Sequence, residues 1–340
     1  MRTMTRQMTF SIIGCEHAHI GIFIKEMLSL GHRCAGMYEP NNIELAERIA
    51  AEYDIQRVED RESLLLEEVD LVGCASVNDK KIEIIELCEV YGKPIMIDKP
   101  AVTSRDGLDR LKAVLNRGRI EVGMLLTERF RPEIRTLKRL IDEGSFGELV
   151  HISMRKPHQL NPTKRPAWHF SKQESGGIIM DLLVHDFDLL RYLTGQELRS
   201  ATGNMSKLIM PEHPDFYDAA SIQVVLDNGM TSQLYADWHT PEKCWTWGDG
   251  RIFISGTKGT AEVRVEGEPL RDRDGMLLYM NDKEEWRMVE KEDFESFDSI
   301  SEDFLSRISG GPHVLSHQDI LAASEAAVSA DENAELIRRV

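Results

Sequence analysis

The sequence predicts an α/β domain on a doubly wound parallel sheet, then an α+β domain whose mostly antiparallel open sheet is covered by helices on one face. Three observations predict it. From Met8 to Leu126, short apolar runs alternate with helical patterns, as in a parallel sheet. Further on the period changes to two: Val150, Ile152 and Met154 alternate with His151, Ser153 and Arg155. An apolar run from Ile178 to Leu193 reads as a buried helix lying on that second sheet. The expected division is 1–126, 127–313 and 314–340. The last part holds a helix from Gln318 to Arg339 that can return to the first domain.

The first domain builds up in order. Met8 to Ile13 is a β-prone run ending at Gly14, and a helical pattern reaches Leu30 before Gly31 closes it. Cys34 to Tyr38 is the next strand, ending at Glu39-Pro40. Helices follow at Asn41–Tyr53 and Ser63–Glu68, then a strand at Asp70–Ser76 and a helix at Lys80–Tyr91. Ile95-Met-Ile97 is a strand ending at Asp98-Lys99-Pro100, Ser104–Asn116 a helix and Ile120–Leu126 a strand. In such sheets ligands bind at the carboxyl ends of the strands. Gly14, Glu39, Ser76-Val-Asn78 and Asp98-Lys99-Pro100 all fall at those ends.

Gly14-Cys-Glu-His-Ala-His-Ile-Gly21 opens the first helix, and Glu39 lies 25 positions after Gly14. This is the layout of a dinucleotide-binding unit, with pyrophosphate at the helix N-terminus and an acid on the ribose hydroxyls. Glu16 and His19 stand where the fingerprint has glycines, so a plain βαβ turn is the alternative reading. His17 and His19 are half of a metal set, but phosphate contact or turn capping suits a loop at a helix start better.

The second domain begins with a helix at Phe130–Glu143, with Pro132 in its first turn. Ser221 to Leu226 and Met230 to Trp238 flank the turn Asp227-Asn-Gly229. Further strands are expected at Arg251–Ser255, Thr260–Val265, Met276–Met280 and Trp286–Val289. Two loops, Lys156 to Phe170 and Trp238 to Arg251, hold four of the five tryptophans. Aromatic faces with histidines and arginines suit a polyhydroxylated ring, or equally a core or dimer interface. In the Ile178–Leu193 helix, Asp181, His185 and Asp188 sit at i, i+4 and i+7 and so share one stripe. Buried there, each needs a partner or a ligand.

Composition narrows the class. The 340 residues are 41% hydrophobic and 29% charged, ordinary for a globular protein with two cores. A formal net charge of -17 repels nucleic acid and anionic membranes. Five cysteines (Cys15, Cys34, Cys74, Cys88, Cys244) with no CxxC pair argue against a disulfide framework. Met1 to Thr9 has no apolar h-region, and no run approaches 18 apolar residues. The expectation is a reduced, cytoplasmic protein.

Together these motifs resemble the Gfo/Idh/MocA family, named for glucose–fructose oxidoreductase and inositol dehydrogenase. Asp98-Lys99-Pro100 stands where that family has Glu-Lys-Pro. Gly176-Gly177, Asp181 and His185 match its glycine-rich helix start and Asp-x-x-x-His, with Asp188 in the His-x-x-Asp position. The match in order and spacing runs from about Met8 to the C-terminal helix. The resemblance implies a Rossmann NAD(P) domain, an open-sheet domain that pairs into homodimers or homotetramers, and Lys99 as a catalytic residue. Asp98 in place of Glu keeps the charge.

The expected activity is NAD-dependent oxidation of a secondary alcohol on a sugar, cyclitol or sugar acid, or the reverse. His185 is the expected base, Lys99 stabilises the alkoxide, and Asp181 orients the substrate or Lys99. Expected cofactor contacts are Gly14, Glu16, His17, His19, Glu39, Ser76, Asn78 and Lys99. Glu39 would repel a 2′-phosphate, which favours NAD over NADP. Expected substrate contacts are Arg129, His158, Trp168, Asp188, Trp238 and His239. No resident metal is expected. Two rivals are a metal site of Asp181 and His185 with His158 or His239, and a non-catalytic sugar or nucleotide sensor.

Overall fold

The computed structural model describes residues 6–270, 274–294 and 298–338. Residues 1–5, read above for a signal peptide, and Arg339, the expected end of the last helix, lie outside them. The chain forms two compact units: Met1–Leu125 with Gln173–Ser175 and Asp298–Leu321, and Leu126–Lys172 with Gly176–Phe297 and Ala322–Val340. Segment 298–321, expected in the second domain and the tail, therefore belongs with the first.

In the first unit, β1 (Thr9–Cys15), β2 (Arg33–Tyr38), β3 (Leu71–Ala75), β4 (Ile95–Ile97) and β5 (Val122–Met124) form a parallel sheet of order β2-β1-β3-β4-β5. The order reverses between β1 and β3, which makes a switch point there. The helices are α1 (Ile20–Ser29), α2 (Ile43–Tyr53), α3 (Lys81–Val90) and α4 (Arg105–Arg117). Asn42 caps α2 by accepting from Leu45 N, and Ser104 caps α4 by accepting from Gly107 N. The expected helix at Ser63–Glu68 is a 3-10 turn, Glu62–Leu65.

Two glycines fix close approaches. Gly14 has φ +91°, and a Cβ there would lie 2.0 Å from Ser76 Oγ. A Cβ on Gly73, inside β3, would lie 2.7 Å from the Phe23 ring of α1.

The second unit contains α5 (Pro132–Asp142) and β6 (Leu149–Pro157). After the short turn α6 (Lys172–Ser175), the expected Ile178–Leu193 helix divides into a π-helical turn, Ile179–Leu183, and α7 (Val184–Thr194). Gly195, with φ +66°, closes α7. The strands are β7 (Leu198–Lys207), β8 (Ala219–Leu226), β9 (Thr231–Asp237), β10 (Arg251–Gly256), β11 (Gly259–Arg264), β12 (Met276–Asn281) and β13 (Glu284–Met288). The π turn contacts β9 and α7 contacts β6, with Val184, Leu189 and Leu190 fully buried.

Last come α8 (Ile300–Ile308), α9 (His317–Asn333) and β14 (Ala334–Arg338). Ser299 and Glu302 form a capping box on α8. Arg307 donates to Val122 O and His317 Nε2 accepts from Val122 N, which ties this segment to β5 in the first unit. The expected single helix to Arg339 ends early, because 334–338 pair in parallel with β7, whose open edge offers unpaired N–H and C=O groups. The nine-stranded sheet has the order β13-β12-β11-β10-β6-β9-β8-β7-β14 and is antiparallel except at β6–β9 and β7–β14. No helix of the described chain is long and apolar enough to cross a membrane.

Candidate functional site

Several of the expected cofactor residues gather at the strand ends of the first unit. Glu39, after β2, is buried, and both of its carboxylate oxygens accept backbone N–H groups. Oε2 takes Cys15 N at 2.6 Å, and Oε1 takes Asn41 N at 2.8 Å and Asn42 N at 3.1 Å. One carboxylate thus joins the β1–α1 loop to the β2–α2 loop. Burial, with Glu39 and Glu16 nearby, pushes the Cys15 thiol up to about 12, so it stays protonated.

Asp98 is the hub of the group. Its Oδ2 lies 2.7 Å from His17 Nδ1, and its Oδ1 lies 3.3 Å from His19 Nδ1. The two imidazoles stand 4.1 Å apart at 64°. Behind them is Lys81, on α3 and fully buried. It donates to Asn78 Oδ1 (2.8 Å) and Lys99 O (3.0 Å), and lies 3.9 Å from Asp98 Oδ2. Asn78 in turn donates to Ser175 O at 2.9 Å. Burial alone would raise the Asp98 carboxyl, but Lys81 and the two imidazoles hold it well below the usual range. Burial and His19 push His17 down to about 4 against the pull of Asp98, so His17 is neutral at pH 7. Lys99 follows as a buried residue.

His17, His19 and Asp98 offer three ligand atoms within 4.8 Å of one another, and on spacing alone they could share a metal. The charges oppose it, because the Lys81 ammonium already neutralises Asp98. Among the described residues this is the one such convergence. The expected alternative, Asp181 and His185 with His158 or His239, forms no such group among the described residues.

In the second unit the expected polar stripe divides by role. Asp188 is a buried partner of Arg129, which donates Nε to Oδ2 at 3.0 Å and Nη2 to Oδ1 at 2.5 Å. This bidentate pair fastens the turn before α5 to α7, and Tyr192 stacks on the guanidinium at 4.8 Å. Arg129 and Asp188 are therefore reassigned from substrate contact to internal support. His185 is buried on α7, and Asp181 is half-buried on the π turn. Asp181 acts electrostatically on Arg165, whose guanidinium is pushed down chiefly by burial.

The two recognition loops do meet. Gln159 N donates to Trp247 O, and Gln159 Nε2 donates to Cys244 O and Thr246 O. His158 and His169 meet Trp238 edge-on, at 5.8 and 5.3 Å, while Trp168 stands edge-on to His169 at 6.0 Å. Arg165 lies 5.1 Å from the Trp238 ring and 5.0 Å from the Trp247 ring. Trp238 is buried, which makes it a wall beneath Arg165 rather than an open stacking face. His239 Nε2 is 2.9 Å from Asp218 Oδ1.

Beside His185 lies a second buried ion cluster. Lys156 Nζ bonds Glu128 Oε1 and lies 3.1 Å from Asp186 Oδ1. Asp186 Oδ2 is buried without a hydrogen bond among the described residues. Burial lifts the Asp186 carboxyl to about 7, opposed by Lys156 and reinforced by Glu128. Glu128 feels burial too, but Lys156 and His185 hold it far below the usual range. Sequence reasoning missed Lys81, Arg165 and this triad. Lys156 had a signal, since it follows Ile152 and Met154 on the inward phase of β6.

Residues 134–262 match the GFO/IDH/MocA C-terminal domain. An inositol 2-dehydrogenase of Rhizobium meliloti (strain 1021) is 28% identical over 219 residues, 63% of each chain. The next relatives are matched over about half their length, 46% and 55%. Among solved structures, a chain from Erwinia carotovora atroseptica SCRI1043 superposes with TM-score 0.89 at 23% identity, covering 97% of this chain and 100% of that one. A levoglucosan dehydrogenase in complex with NADH and levoglucosan gives TM-score 0.81 at 18% identity, with 97% of each chain covered. These structural likenesses carry the fold. With the related sequences beside it, the matched segment, residues 134–262, is a C-terminal domain of the Gfo/Idh/MocA type.

Proposed function

We propose that the protein is an NAD-dependent oxidoreductase acting on a secondary alcohol of a sugar, cyclitol or sugar acid. The observation that carries the reading is the gathering of Gly14, Glu39, Asn78 and Asp98-Lys99 at the carboxyl ends of a switch-point parallel sheet. The relative named as an inositol 2-dehydrogenase supports the substrate class. The residues present suit a dinucleotide. Gly14 has no room for a side chain, and the buried Glu39 carboxylate disfavours a 2′-phosphate, hence NAD over NADP. Bound NAD would supply the hydride acceptor.

The chain's own residues do the rest. His185 takes the hydroxyl proton, Lys99 stabilises the developing alkoxide, and Asp181 orients the substrate. Arg165, between two tryptophans, donates to substrate oxygens. NADH and NADPH titrations by calorimetry test the cofactor, with tighter NADH binding expected. No binding of either would overturn the reading and favour a sensor. Once a substrate is found among cyclitols and sugars, His185→Ala should lower kcat by roughly 100-fold or more. Wild-type turnover in that variant would remove His185 from the chemistry.

A further inference from the structure

We propose that dinucleotide binding at the β1–α1 loop draws in one proton, taken up by His17, with Asp98 as the residue that positions the imidazole for it. The inference rests on the dinucleotide reading above and adds a proton to it.

The glycine fingerprint works by smallness, leaving backbone amides free to reach a pyrophosphate. Here the loop carries two imidazoles in contact, and both turn Nδ1 toward a single carboxylate. Asp98 is ionised and can only accept, so each Nδ1 engaged with it bears the hydrogen. In a neutral ring that leaves Nε2, on the opposite edge, as a lone-pair acceptor. Phosphate oxygens are acceptors too. Imidazole and pyrophosphate can therefore pair only when a proton is added between them.

The surroundings select His17 as the receiver. Its bond to Asp98 is the shorter of the two, and its side chain is 23% exposed against 44% for His19. Burial keeps it neutral in the free protein, near 4. The groups acting on it are His19 from its own loop and Asp98 and Lys99 from the end of β4, with Lys81 of α3 behind Asp98; Glu16 and Glu39 act on the neighbouring Cys15. An arriving dianion adds negative charge beside the imidazole and favours a protonated His17. Affinity for the dinucleotide then falls as pH rises.

The test is calorimetric titration of the full chain with NADH from pH 6 to 8, in phosphate and in Tris. The binding heat should differ between these buffers by a net proton uptake, and Kd should rise roughly three- to tenfold across the range. His17→Gln should bind NADH with a flat pH profile and no uptake. Asp98→Asn should lose the uptake as well, and Asp98→Glu should restore it, which a purely structural role would not do. NADH binding with buffer-independent heat and a flat Kd would overturn this inference and leave the cofactor reading standing. So would uptake that persists in His17→Gln. Absence of NADH binding at every pH would overturn both.

Discussion

The two units bury nearly the same ingredients in opposite proportion. In the first, one carboxylate, Asp98, is shared among Lys81, His17 and His19. In the second, one ammonium, Lys156, is shared between Glu128 and Asp186. Where bases outnumber acids, the carboxylate is held ionised far below its usual range. Where acids outnumber bases, Asp186 rises to about 7 and is only partly ionised at neutral pH. Both carboxyls are buried, so the difference in their partners separates which of them titrates near neutral pH. On this comparison the second unit keeps a spare acid beside His185, and the first keeps a spare base in its loop.

Removing the shared cation should separate the two clusters most sharply. Lys156→Met strands two carboxylates and should cost about 3–5 kcal/mol at pH 7.5. Much of that should return at pH 5, as the acids protonate. Lys81→Met should cost less, about 3 kcal/mol, because both imidazoles remain on Asp98, and acid should not rescue it. Urea unfolding followed by circular dichroism measures both, and equal losses with equal pH dependence would break the comparison.

The next effect is a pair of opposed slopes. Asp186 is raised from its ordinary 3.8 to about 7, so its contribution is full below pH 4 and is lost as pH rises to 7. His17 is lowered from 6.5 to about 4, so its contribution is full above 6.5 and is lost as pH falls to 4. Asp186→Asn should therefore make stability rise more steeply between pH 4 and 7. His17→Gln should make it rise less steeply between pH 4 and 6.5, each change being at most about 1.4 kcal/mol per pH unit. Stability curves at half-unit intervals read the signs directly.

The smallest effect sharpens the contrast with solvent. Arg110 holds Glu86 by two bonds, at 3.0 and 2.6 Å, with both side chains about a third exposed. Arg110→Ala should cost only about 0.2–1 kcal/mol and fade further in high salt. A loss matching that of Lys81→Met would mean that burial counts for little in these ion pairs.

The parallel sheet was legible because three of its apolar runs end at Gly14, Glu39 and Asp98-Lys99, and such punctuation survives without tertiary context. The Glu39 and Asp98 loops were legible for the same reason. Lys81 was not, since Lys80-Lys81 reads as two solvated charges at a helix start. Only its phase with Ile85 and Cys88 hints that it turns inward. The stripe of Asp181, His185 and Asp188 was found, but its partners lie far along the chain, and no spacing rule links Asp188 to Arg129. The π turn was missed because apolar periodicity hardly changes over five residues. The strand β7 was missed because Ser, Thr, Gly and Asn fill it, and β14 because its pairing depends on an edge that exists only after folding.

Gly73 holds α1 against the sheet by what it lacks. A single methyl at that point in β3 would meet the Phe23 ring and Ile12 Cδ1 and act as a shim beneath the helix. The helix carries His17 and His19 just ahead of its first turn, so their height above Asp98 is set from below, by a residue nearly sixty positions away in the chain. The mounting of that loop is therefore a matter of strand composition, and its alignment can drift without any change to the loop itself.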